Sequence, residues 1–228
     1  MKKIFEIINK NISLTNLAPF FLRKKQGFKN KEKPLITISR EMGSGGRPIA
    51  ELVIKKLGKP WRLYHKDLID EIAKKAKLEK KLIAEIDEKK RPMIEEIIFD
   101  LFGKKYVSLT SYYQALVRVL TEIGQRGYAV IIGRGANFLF PKALNVRIIC
   151  QMKQRIAWEM KYEKISKEEA IERIKKSDEE RRAFVQSLFH HDIKKAHHYD
   201  LIIRTGPELD IEIAAELVVT AAKIKFKL

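Results

Sequence analysis

Residues 35–57 read LITISREMGSGGRPIAELVIKKL, with three glycines at positions 43, 45 and 46 between an apolar run and a helix-patterned one. No other stretch restricts the fold as much. A strand that ends in such a turn leaves backbone N–H groups pointing into it, and the following helix adds the positive end of its dipole. Glycine lets the backbone approach a ligand and take positive φ without strain. Gly43, Ser44, Gly45 and Gly46 would supply that backbone. Arg47 would add a fixed charge suited to paired hydrogen bonds with phosphate. A plain strand–helix turn is the other reading of the same residues.

The stretch departs from the phosphate-loop pattern G-x-x-x-x-G-K-[ST]. With Gly46 taken as the second glycine, Glu41 stands where the first belongs, Arg47 replaces the lysine and Pro48 replaces the hydroxyl residue. Proline suits a first helical turn, where its missing N–H has no intrahelical partner to lose. It also removes a Mg2+ ligand from that position, and Ser44 is not a ready substitute.

Further strand-like runs alternate with helical ones. Strands are predicted at Leu35–Ser39, Arg62–Tyr64, Ala129–Gly133, Val146–Cys150 and Leu201–Arg204. Helices are predicted at Pro48–Leu57, Lys66–Ala76, Lys80–Glu88, Met93–Phe102, Leu109–Arg126, Lys153–Tyr162, Lys167–Arg182 and Ile211–Ile224. Alternation of this kind implies a parallel sheet covered on both faces, and the fully apolar runs AVIIG and VRIIC fit buried parallel strands. Ser166 with Glu169 forms a capping box that marks one helix start. The stretch from Lys66 to Arg126 reads as a helical insertion on the sheet.

The formal charge of +18 favours anionic partners such as nucleotides, nucleic acid or acidic lipid, without choosing among them. Residues 1–34 carry nine Lys/Arg against two Glu. Ile4, Ile8 and Ile12 lie there at helical spacing, and Phe20–Leu22 follow Pro19. This basic extension is expected to be separate from the core, with its boundary near Pro34, and suits an anionic membrane surface or a protein partner. No aromatic-rich patch for stacking bases stands out, so specific nucleic-acid recognition is not expected. The single cysteine, Cys150, sits in an apolar run and implies a buried thiol and a reducing, cytoplasmic setting. No apolar stretch approaches the ~20 residues that cross a bilayer. The pairs His190–His191 and His197–His198 do not make a metal site by spacing, because adjacent residues diverge on a helix and no cysteine is near.

The segments ITISREMGSGGRPIAELVIKKLG, WRLYHKDLIDEIAKKAKL, VIIGRGANFLF, ISKEEAIERIKKSDEERRAFV and YDLIIRTGPELDIEIAAELV resemble, in order, those of the cytidylate kinase-like family. That family is a branch of the P-loop nucleoside monophosphate kinases. The resemblance covers about residues 35–220 and makes Glu41 and Arg47 part of a family variant of the loop. It implies a three-layer α/β P-loop domain over 35–228, with a parallel five-stranded sheet, a helical insertion and a small lid at about 166–198. It also implies ATP and Mg2+ as cofactors and phosphoryl transfer to a nucleoside monophosphate, CMP or dCMP first. His65, where the family has an acidic residue, Arg204, where it often has Asn, and Pro48 depart from the pattern. They leave open a nucleotide-binding regulatory module without catalysis, beside an anion- or membrane-binding protein.

Residue roles follow from the same resemblance. Gly43 to Arg47 would hold the donor phosphates. Arg181 and Arg182, near the end of the capped helix with Asp178, would stabilise charge on the transferring group; the same run also reads as ordinary charged helix surface. By its place in the Gly133–Gly135 turn at the carboxyl end of a buried strand, Arg134 would grip an acceptor phosphate; a solvent-exposed turn is the other reading. Asp67 reads equally as a helix N-cap or a substrate contact. Arg155 reads equally as a phosphate contact or a surface ion pair.

Overall fold

The structure, a computed structural model, describes residues 33–65, 67, 69 and 111–228. Residues 1–32 lie outside it. So do the helices expected at Lys80–Glu88 and Met93–Phe102, and all of Lys66–Ala76 except Asp67 and Ile69.

Five parallel strands form one sheet in the order β2-β3-β1-β4-β5. They are β1 Leu35–Arg40, β2 Arg62–Tyr64, β3 Ala129–Ile132, β4 Leu144–Cys150 and β5 Leu201–Thr205. Each expected strand is present, Arg62–Tyr64 with unchanged ends and the others with one end moved by one or two residues. β1 is central: Ile38 is level with Ile132 of β3 on one side and Val146 of β4 on the other. The strand order reverses around β1, and in open α/β sheets ligands bind at the carboxyl ends of the strands beside such a reversal.

The helices are α1 Gly46–Leu57, α2 Ser111–Arg126, the short α3 Ala136–Leu139, α4 Met152–Glu163, α5 Lys167–Phe189 and α6 Ile211–Phe226. Two of these correct the sequence expectation. α5 runs seven residues beyond Arg182, so Asp178 and Arg181 stand within it rather than at its end. α3 has too few residues to show a helical period. The start of α5 follows the predicted cap, with the Ser166 side chain accepting from Glu169 N–H at 3.1 Å.

Side chains alternate across the strands and build a core on each face. Ile36, Ile38, Val130, Ile132, Val146 and Ile148 pack against Ile49 and Val53 of α1 and the small Ala214, Ala215 and Ala222 of α6. On the other face Leu35, Ala129 and Ile131 meet Leu116, Leu120 and Ile123 of α2 and Leu188 of α5. The sheet is thus the middle of three layers. Cys150 is buried, and burial pushes its thiol pKa up. Among the described residues no helix is long and apolar enough to cross a membrane.

Ile38 is fully buried one turn of chain before the glycine loop. Ile38→Ala is expected to destabilise the chain by about 2–5 kcal/mol, the transfer and cavity cost of such a truncation. Urea unfolding checks it; a midpoint unchanged from wild type would contradict this packing.

Candidate active site

β1 delivers the chain into the loop at Glu41. Gly43 and Gly45 take left-handed φ of 71° and 78°, and Gly45 is the N-cap of α1. Left-handed glycines flanking Ser44 form a concave turn of the kind that presents N–H groups to an anion. Gly43 is also needed for space: a Cβ there would stand 3.2 Å from Arg155 Cβ and Glu159 Oε1. Ser44 is fully buried. Its hydroxyl donates to Glu41 O at 2.9 Å, and its carbonyl accepts from Thr205 Oγ1 at 2.9 Å. The Ser44 side chain therefore braces the loop, and its backbone N–H also turns back to Glu41 O, at 3.4 Å.

Glu41 fastens the start of the loop. Its Oε2 accepts from Cys150 N–H at 3.1 Å, and Arg155 and Arg147 stand 3.6 and 3.9 Å from its carboxylate. The loop is thus fastened to β4 by a charge-assisted bond. Arg147 is buried in mid-strand and donates to Ser39 Oγ at 3.0 Å, with the Tyr199 ring against its guanidinium.

Arg155 is buried, which corrects its reading as a surface ion pair. It is 5% exposed, and its Nε donates to Met42 O at 2.6 Å. Its Nη2 donates to Asp178 Oδ2. Asp178 in turn accepts from Met42 N–H at 2.8 Å and from Arg181 Nη1 at 3.3 Å. Asp178 and Arg181 of α5 are thereby docked on the glycine loop.

Above this clamp three cations converge from three elements. Arg40, the last residue of β1, has its pKa pushed down to about 9, by burial first and then by Arg181 and Arg134; Asp67 and Asp178 oppose the shift. Burial likewise lowers the Arg181 pKa, against the pull of Asp178. Arg134 sits between Gly133 and Gly135, and all three have left-handed φ, at 76°, 55° and 66°. A non-glycine residue in that region costs of order 1–3 kcal/mol and marks a position held for a purpose. Its guanidinium stacks 5.0 Å over the Phe184 ring of α5. Clustered guanidinium groups repel one another, so the arrangement suits a polyanion that neutralises them.

Arg40 was not legible as a site residue in the sequence, and only its burial beside two other cations marks it. Two expected residues stand apart. The Arg47 side chain is 63% exposed, and its Nε donates to Glu51 at 3.1 Å. Arg182, paired by sequence with Arg181, is half exposed and holds Glu179 by two hydrogen bonds; successive helical residues point about 100° apart. Asp67 is exposed, 3.7 Å from His65 Nδ1. Ile69 N–H bonds to His65 O, so the helical turn starts at His65 and Asp67 is not its N-cap. His191 stacks on Phe138 at 4.8 Å and His198 meets the same ring edge-on. Among the described residues no three His, Cys, Asp or Glu side chains gather in metal-ligand geometry.

Two variants test the clamp. Asp178→Ala leaves the buried Arg155 charge without its hydrogen-bonded carboxylate, with only Glu41 at 3.6 Å remaining, and a loss of about 3 kcal/mol is expected. Hydrogen exchange at Met42 N–H should quicken with it. Glu159, nine-tenths buried under Gly43, has its pKa raised by burial first and then by Glu163. The folded state therefore holds the proton more tightly than the unfolded state, and stability falls as pH rises through 4.5 toward the folded value. Glu159→Gln is expected to remove that slope and to be neutral or stabilising at pH 7, read from chemical unfolding at pH 4–8. A destabilised Gln variant with an unchanged slope would contradict this.

The comparisons with known proteins follow this geometry. The family model described as the cytidylate kinase-like family matches residues 35–207. No curated protein matches the chain. An uncharacterized protein from Eubacterium ventriosum has a similar structure, with a TM-score of 0.64 at 20% identity over 84% of this chain and 99% of that one. Shikimate kinase from Bacteroides thetaiotaomicron aligns with a TM-score of 0.43 at 12% identity, over 86% of this chain and 99% of its own. Dephospho-CoA kinase from Campylobacter jejuni gives 0.38 at 18%, over 84% and 98%. Scores this low leave the fold resting on the sheet order, the glycine loop and the family match. With most of the described core inside the matched span, the chain belongs to the cytidylate kinase-like family and has a P-loop kinase fold.

Proposed function

We propose that this chain transfers the terminal phosphoryl group of ATP to a nucleoside monophosphate, with CMP or dCMP as the preferred acceptor. The convergence of Arg40, Arg134 and Arg181 at the carboxyl ends of the central strands, beside the glycine loop, carries the reading. Two phosphate-bearing substrates bring several negative charges into one crevice, and three guanidinium groups from separate elements are matched to that load.

In this reading the backbone of Gly43, Ser44, Gly45 and Gly46 holds the donor phosphates, with Arg47 at the edge of the loop. Arg134 binds the acceptor phosphate, and Asp67 faces the acceptor. An acceptor phosphate oxygen attacks the γ-phosphorus, the bond to the β,γ-bridging oxygen breaks, and ADP leaves. Phosphoryl transfer asks mainly for in-line positioning and positive charge, and Arg181 supplies charge from the lid while α5 excludes water. Mg2+ would neutralise donor phosphates; with proline at 48 and the Ser44 hydroxyl turned to carbonyls, phosphate oxygens and water would be its main ligands.

ADP release is to be measured for ATP–Mg2+ with CMP, dCMP, UMP, AMP, GMP and shikimate. Turnover is expected to be fastest with CMP or dCMP. Arg181→Ala should lower kcat by about 10²–10³-fold, the scale for removing one electrostatic stabiliser, while ATP affinity changes far less. Tight ATP binding with no ADP from any acceptor would replace this reading with a regulatory nucleotide-binding module.

A further inference from the structure

The glycine loop has no lysine, and its Arg47 is engaged with Glu51. In the pattern G-x-x-x-x-G-K-[ST] the lysine follows the glycine that ends the loop. Here the loop ends at Gly45, the left-handed N-cap, and Gly46 is the first residue of α1. Counted from the helix start, Gly45 takes the second glycine's place and Gly46 the lysine's. Arg40, five residues before Gly45, then takes the first glycine's place. Glycine and cation have changed positions.

The change is steric as well as formal. A Cβ on Gly46 would stand 2.6 Å from Arg40 Cβ and 2.8 Å from Arg40 Cγ. The side chain leaving the strand end therefore fills the space that a side chain from the helix start would use. It continues to Gly133, where a Cβ would stand 2.2 Å from Arg40 Nη1. Glycine at 46 leaves the space that the Arg40 stem takes, and the guanidinium then lies against Gly133, between the loops after β1 and β3.

We propose that Arg40 is the phosphate-binding cation of this loop, supplying from the strand end what a lysine at 46 would supply from the helix, with the phosphate chain of a nucleoside triphosphate as its ligand. This rests on the donor-site reading above. A guanidinium presents paired donors to phosphate and stays charged, so it suits the task without copying lysine geometry. Its cationic neighbours Arg181 and Arg134 make the unliganded state unfavourable for it, which a bound polyphosphate relieves.

The test uses the full chain and inorganic tripolyphosphate, which carries no nucleoside, alongside ATP. Binding is read by calorimetry and the unliganded Tm is recorded for each variant. Arg40→Met is expected to weaken tripolyphosphate at least about tenfold, the loss of one charged hydrogen-bonding group. Its unliganded Tm should stay level or rise, because repulsion is relieved; a brace for the fold would instead lower it. Gly46→Lys alone should perturb the loop, since Arg40 occupies the space. The exchange Arg40→Gly with Gly46→Lys should recover most of the lost affinity. The proposal is overturned if Arg40→Met binds tripolyphosphate as tightly as wild type, if wild type does not bind it, or if the exchange variant folds and recovers none. Intact tripolyphosphate binding that depends on Arg40, with no ADP from any acceptor, supports Arg40 and counts against the kinase reading alone.

Discussion

One buried guanidinium, that of Arg155, joins three parts of the site that are far apart in sequence. It bonds the Met42 carbonyl of the glycine loop, the Asp178 carboxylate of α5, and lies beside Glu41, which is itself bonded to β4. A buried ion pair is a weak source of net stability against an apolar alternative. It is a strong source of position, because a charge without its partner in that setting is so costly. The loop needs position above all: its anion-binding geometry depends on the φ values of Gly43 and Gly45, which nothing in a chain of glycines enforces by itself. Arg155, Glu41 and the inward Ser44 hydroxyl enforce it from below.

That bracing has a consequence for the charges above it. With Asp178 already accepting from Met42 N–H, Arg155 and Arg181, its negative charge is shared and does little for Arg40 and Arg134. The downward shift at Arg40 comes first from burial and then from Arg181 and Arg134, and the opposing pull of Asp67 and Asp178 does not cancel it. The acidic groups near the crevice are thus spent on holding the loop, and the cations are left with a deficit that a phosphorylated ligand makes good. Stability and affinity draw on different members of one charge network.

The fold was legible in the sequence because it depends on local signals: unbroken apolar runs for buried parallel strands, the glycine turn, and Ser166 at a helix start. The site was legible only in part. Arg134 and Arg181 could be marked because a strand-end turn and a patterned helix place them. Arg40 could not, since it ends an ordinary strand pattern and what marks it is burial beside Arg134 and Arg181, 94 and 141 positions later. Arg155 likewise looks like helix surface until Met42 and Asp178 are brought against it. Arg182 lies apart from this cluster for the opposite reason, being adjacent in sequence to Arg181 but on another side of the helix. Long-range burial decides such cases, and periodicity does not encode it.

The turn at Gly133–Gly135 carries the same logic into the backbone. Three successive residues with left-handed φ are unfavourable, and Arg134 bears the steric cost that its neighbours avoid. Gly135 cannot carry a side chain, since a Cβ there would stand 2.1 Å from Phe189 at the end of α5. The ring packed over that glycine fixes the turn, and Phe184, one turn earlier on α5, carries the Arg134 guanidinium on its face. α5 therefore positions two of the three cations, Arg181 directly and Arg134 through Phe184 and Phe189, while Arg40 is placed by the end of β1 and the space at Gly46. A shift of α5 along its axis would disperse the cluster without breaking any strand, which makes the seating of that helix the step at which the site is either assembled or lost.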